Sequence, residues 1–286
     1  MMMRIEFVLY AASALLGGLM QLGLPCTAGG LLITGQLPPP FRHTANGKFI
    51  QLECMNRILI LIVISSVAQA VADLAARSRF TRLKSLLFAL LCGRLAGLSL
   101  GLLAQTESYA GALLPTLCLA LGCCVTVLLA EALGSGRPGA PPQSGLSLSA
   151  LFLLPLSLLA VCLAPTLTGP LPAALFALSA AYTVLFPLSI DRAPAPAAVG
   201  RSSLAAAAWP LRGCMSMIPL TCMICRAVAE SGLRPYYEAF WTGIQCGSLL
   251  FVTLCYAVPL IVRSYPGKLP FLLLTLGFGS GLLLPF

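Results

Sequence analysis

LKSLLFALLCGRLAGLSLGLLA, residues 83–104, carries two charges in twenty-two positions, Lys84 near its start and Arg94 near its middle. As a helix it rises about 33 Å at roughly 1.5 Å per residue, enough to cross a hydrocarbon core of roughly 30 Å. Gly93, Gly97 and Gly101 recur every four residues, with Ala89 one turn earlier. That spacing puts all four on one helix face and lets a neighbouring backbone come close. The stretch predicts a membrane-spanning helix packed inside a bundle.

The rest of the chain repeats the message. Of its 286 residues 59% are hydrophobic and 9% charged, and the mean hydropathy is +0.96. Such a composition excludes an ordinary soluble domain. The expected fold is all-α: a polytopic integral membrane helix bundle, one transmembrane domain over residues 1–286, with about nine spans. These are Ile5 to Leu24, Met55 to Leu74, Leu83 to Ala104, Ala110 to Leu133, Leu146 to Pro165, Leu171 to Ile190, Leu204 to Ala229, Ala239 to Val262 and Leu269 to Phe286. The first run follows a lone Arg4 in the manner of a signal peptide, but it is longer than a signal core and is read as a span.

Lys and Arg near span ends orient the bundle, because basic loops favour the cytosol. The densest cluster is Arg77, Arg79, Arg82 and Lys84, in a loop over residues 75–84. Placing it in the cytosol puts the amino terminus there too and leaves eleven basic residues inside against five outside. Residues 34–54 then form the longest outer loop; Cys26 and Cys54 fall near the outer ends of the first two spans, where they either pair in an oxidising lumen or stay unpaired. Residues 134–145 and 191–203 are Pro-rich cytosolic loops. The net charge of +9 is spread over short clusters at the ends of apolar runs. It therefore points to the lipid bilayer as partner, with anionic lipid facing the basic loops, and away from nucleic acid.

Enzymatic readings find little chemistry. Most of the twelve cysteines fall inside apolar runs, where they serve as small packing residues. The single histidine, His43, sits in a loop, which leaves no His-based metal site and no Ser-His-Asp triad. No metal or other cofactor is expected, and the protein reads as a non-enzyme.

Polar residues inside spans are the remaining candidates for function. Arg94 lies near the bilayer midplane and needs compensation, with Asp73 or Glu131 as the expected ion-pair partner. On the seventh span Arg212, Ser216, Arg226 and Glu230 fall along one helix face, opposite Cys214, Cys222 and Cys225. Together these seven residues form a candidate intramembrane polar site, either a structural ion-pair network or the wall of a solute cavity. Gln21, Gln69 and Gln245 are read as interhelical hydrogen-bonding residues, while Pro155, Pro187, Pro219 and Pro259 should kink or unwind their spans. Gly93, Gly97 and Gly101, with Gly243 and Gly247 on the eighth span and Gly277, Gly279 and Gly281 on the last, are read as helix-packing positions within the chain.

YYEAFWTGIQCGSLLFVTLC at 236–255, LLLTLGFGSGLLLPF at 272–286 and LCLALGCCVTVLLAEAL at 117–133 resemble stretches of the multi-span envelope membrane proteins of herpesviruses. That family is similar in architecture to equilibrative nucleoside transporters, although this chain has about nine spans where the transporters have eleven, and its own middle loop is much shorter than theirs. The resemblance implies residence in host membranes and the virion envelope, with other viral envelope proteins as partners. It implies a role in entry, egress or spread, exerted through membrane and protein contacts. The alternative it carries is transport of a small, nucleoside-like solute, or descent from such a transporter.

Overall fold

The computed structural model describes residues 80–132, 145–163, 170–190 and 234–283, together with six helical positions between 64 and 75. All regular structure in these residues is helical. The helices are α1 (Thr81–Ala110), α2 (Leu113–Ala132), α3 (Gly145–Leu163), α4 (Pro170–Ile190), α5 (Arg234–Val252), α6 (Val258–Ser264) and α7 (Leu269–Leu283). A π-helical turn, Thr253–Ala257, joins α5 to α6 without a break. The expected first and seventh spans, the outer loop 34–54 and all but five positions of the second span lie outside the described residues.

Four helical segments are long and apolar enough to cross a membrane: Arg82–Glu107, Leu113–Ala132, Leu171–Ser189 and Ala239–Ser264, the last running through α5, the π turn and α6. Helix is the form in which such a leucine-rich segment can cross a bilayer, because lipid offers no hydrogen-bond partner and each backbone amide must be satisfied within its own segment. The junction between the third and fourth spans differs from the sequence expectation. The third span continues past Ala104 to Ala110, and the fourth starts at Leu113. Gly111 makes the break: its φ of 78° is open to glycine at no steric cost, and its N–H donates to the Glu107 carbonyl at 3.2 Å.

At Pro259 the helix does unwind locally. Proline has no N–H to offer the preceding turn and its ring crowds the carbonyl four residues back. The chain responds just upstream, where the Val258 N–H reaches past the α-helical acceptor to the Thr253 carbonyl. Pro155 and Pro187 stay inside continuous helices.

α5 is the hub, packing on α1, α2 and α3, while α7 packs on α1. Contacts fix relative direction. Gly93 meets Leu274 and Gly97 meets Phe278, so α1 and α7 run parallel. Gly243 meets Pro115 and Gly247 meets Leu119 and Cys123, so α2 and α5 also run parallel. Thr242, early in α5, donates to the Cys162 sulfur at the end of α3, which sets these two helices antiparallel.

Aromatic packing closes the remaining side. Phe88 of α1 stacks on Phe186 of α4 at 4.3 Å between centroids and meets Phe152 of α3 edge-on at 6.0 Å. All three rings are fully buried. Tyr182 extends the stack, and its hydroxyl donates to the Lys84 carbonyl at 3.1 Å, tying α4 to the first turns of α1.

Candidate functional site

Two backbone seams dominate the interior. In the first, a Cβ on Gly93 or Gly97 would fall within 3.0 Å of the Leu274 or Phe278 carbonyl, and one on Gly277 or Gly281 would do the same to Leu90 or Arg94. The clash is reciprocal: each helix presents glycine exactly where the other presents a carbonyl. Gly101 lies beyond the seam, where an added Cβ would come no nearer than 3.9 Å to Leu282 Cδ2, and a Cβ on Gly279 would meet nothing within 4 Å. Arg94 is therefore set between two glycines on its own helix, with its backbone N and O pressed against Gly277 and Gly281 and its side chain half-buried.

The second seam joins α2 and α5 through Gly122, Gly243 and Gly247, each pressed on a partner backbone or Cβ. Hydrogen bonds reinforce it. Cys123 Sγ donates to the Gly247 carbonyl at 3.3 Å, and the Thr126 and Ser248 hydroxyls bond to each other across the interface. Gly122 carried no sequence expectation. The signal was present nonetheless: Cys118, Gly122, Thr126 and Ala130 recur every four residues, and all four are buried.

A line of buried polar groups runs down α5. Gln245, fully buried, donates from Nε2 to Ser99 Oγ of α1 at 2.6 Å, and Ser99 passes its own proton to the Leu95 carbonyl at 2.7 Å. Gln245 thus makes the interhelical bond expected of it, but its Oε1 finds no donor among the described residues. Thr253 at the head of the π turn is the second exception. Ser99, Thr126, Ser179, Thr183 and Ser264 all close on the carbonyl four residues back, whereas the Thr253 hydroxyl is buried with no partner there.

Of the candidate polar site the described residues include two members, on different helix pairs. Arg94 sits in the α1–α7 seam, and Glu131 lies exposed at the carboxyl end of α2. Asp73, Arg212, Ser216, Arg226 and Glu230 lie outside the described residues. Among the described residues no group of three or more His, Cys, Asp or Glu side chains is placed to hold a metal ion. No disulfide joins the seven described cysteines.

No protein-family model matches the chain. No curated protein matches it either.

Proposed function

We propose that the chain is a non-enzymatic membrane protein of nine spans, with a cytosolic amino terminus, that works through contacts with the bilayer and with other membrane proteins. The observation that carries this reading is the pair of glycine seams, α1 on α7 and α2 on α5. Backbone-to-backbone contact at four-residue intervals gives a rigid interior filled by helices. The resemblance to herpesvirus multi-span envelope proteins supports placing this rigid bundle in host membranes and the virion envelope.

Helix direction supports the span count. α3 is antiparallel to α5, and α4 follows α3 after residues 164–169, so α4 and α5 run in the same direction. Two consecutive spans of one direction need an odd number of crossings between them. Leu204 to Ala229 is apolar and long enough to supply one. Single-cysteine labelling from either side of sealed vesicles tests this: Arg192→Cys should label from the side opposite Arg234→Cys. Labelling of both from one side overturns the nine-span arrangement.

A solute transporter is the second reading, favoured by the π turn near the middle of the Ala239–Ser264 span and by the unpartnered oxygens of Gln245 and Thr253. Locally unwound helices with polar groups at mid-membrane are what transporters use to hold solutes. On this reading Arg94 and the face of Arg212, Ser216, Arg226 and Glu230 complete the cavity. Uptake of labelled nucleoside into proteoliposomes decides between the two. The first reading expects no uptake above protein-free vesicles, and saturable uptake lost in Arg94→Leu establishes the second.

A further inference from the structure

We propose that the corner where α1 and α7 begin and α6 ends is a docking surface for an anionic phospholipid headgroup. The proposal rests on the membrane-spanning reading of the bundle and adds a specific place and lipid class to it. The parallel α1–α7 seam carries the argument. Because Gly277 abuts Leu90 and Arg94, and Gly93 abuts Leu274, the register sets Lys268 level with the first turns of α1. Arg82 and Lys84 occupy those turns. The α6 helix also packs on α1 and carries Arg263 in its last turn, so a third basic element enters the same corner.

The side chains of Arg82, Arg263 and Lys268 are exposed there. The connecting turn is compact: Tyr265 folds over Gly267, where a Cβ would come within 2.9 Å of its ring, and the Tyr265 N–H donates to the Ile261 carbonyl at 2.9 Å. This holds Arg263 and Lys268 close in space, although they belong to two different helices. Neither α1 nor α7 has an acidic residue in its first turn to neutralise the cations. Glu131, the described acid in the last turn of α2, belongs to a helix that packs mainly on α5.

Just along the helices from the cations the surface becomes apolar. Leu83 and Leu87 on α1 and Leu269, Phe271 and Leu272 on α7 are exposed large hydrophobics. Cations at headgroup level above exposed apolar side chains match the two halves of a phospholipid, phosphate above and acyl chains below. Free phosphate would use the cations and leave the apolar part without a role. The lipid is therefore the occupant that fits both.

The test uses the full chain purified in a mild non-ionic detergent, with phosphatidylserine or phosphatidylcholine added and retained lipid counted by native mass spectrometry. Phosphatidylserine should be retained in preference. Each of Arg82→Gln, Arg263→Gln and Lys268→Gln should lower that preference about fivefold, and phosphatidylcholine retention should not change. Arg82→Lys and Arg263→Lys, which keep the charge, should retain the preference and thereby control for misfolding. Equal retention of the two lipids by the wild type, or an undiminished preference in all three Gln variants, overturns the proposal. So does displacement of phosphatidylserine by millimolar inorganic phosphate, which would mark an ion site. Alkaline carbonate extraction separates the two levels of inference: a chain released from membranes refutes the spanning reading itself, whereas a chain that stays integral without lipid preference refutes the docking surface alone.

Discussion

Gly247 of α5 lies so close to Leu119 of α2 that a Cβ on the glycine would fall on the leucine carbonyl oxygen. Neither group can yield, because both belong to helix backbones. Gly247→Ala should cost about 1 to 3 kcal/mol, the usual penalty for overpacking. Gly279→Ala, at a position with nothing within 4 Å, should be neutral or slightly stabilising, since alanine is the better helix former. Thermal unfolding of the two variants in the same detergent checks the contrast, and equal effects would mean that the α2–α5 seam is not in contact.

The α1–α7 seam predicts non-additivity. Gly93→Ala and Gly277→Ala each wedge the same pair of helices apart, so the second substitution meets a gap that the first has already opened. The double variant should be less destabilised than the sum of the singles, with a coupling of roughly 0.5 kcal/mol or more. Additive losses in a double-mutant cycle would show that the two glycines face different partners.

Ser99→Ala should be worse than its size suggests. It leaves the fully buried Gln245 amide without its acceptor, a penalty of about 1 to 3 kcal/mol for a stranded polar group. Adding Gln245→Leu removes the stranded amide and should recover part of the loss. Chemical or thermal denaturation of the single and double variants checks this, and a double variant less stable than Ser99→Ala would contradict it.

Pro259→Ala gives the span back the backbone donor whose absence accompanies the π turn at Thr253–Ala257. Closing that turn into regular α-helix removes one residue's worth of slack and rotates α6 by roughly 100° relative to α5. Leu260 and Ile261, now buried, would then leave the core. Spin labels at Thr242→Cys and Ser264→Cys should report a changed distance between the ends of the span, together with lower stability. An unchanged distance would mean that packing holds the π turn without the proline.

What could be read from the residues alone divides by whether the signal is local. A run such as Leu83 to Ala104 announces its own helix, because in lipid a long, mostly apolar segment has no other way to satisfy its amides. Four-residue glycine spacing announced faces that could admit a backbone, and Pro259 announced a break in its span. Helix ends were less legible. Gly111 stops α1 six residues beyond the expected end, since Gln105 to Ala110 are polar enough to look like loop yet can still close helical hydrogen bonds.

Partnership was not legible at all. Nothing in Gly93 or Gly277 says that each will meet the other's helix, or that the two helices will run parallel; the match depends on where a distant backbone places its carbonyls. The same holds for Ser99 and Gln245, 146 residues apart, and for Gly122, whose spacing with Cys118, Thr126 and Ala130 is as small as any glycine ladder but less conspicuous.

By itself, then, the sequence determined the class of the protein, an apolar chain of helices, because hydropathy and backbone satisfaction act within one segment at a time. The tertiary structure alone decided which helices are locked together, in which direction, and where Arg82, Arg263 and Lys268 converge. Those outcomes come from van der Waals contact and hydrogen bonding between segments far apart in the chain, and such forces have no counterpart in the order of residues along a single helix.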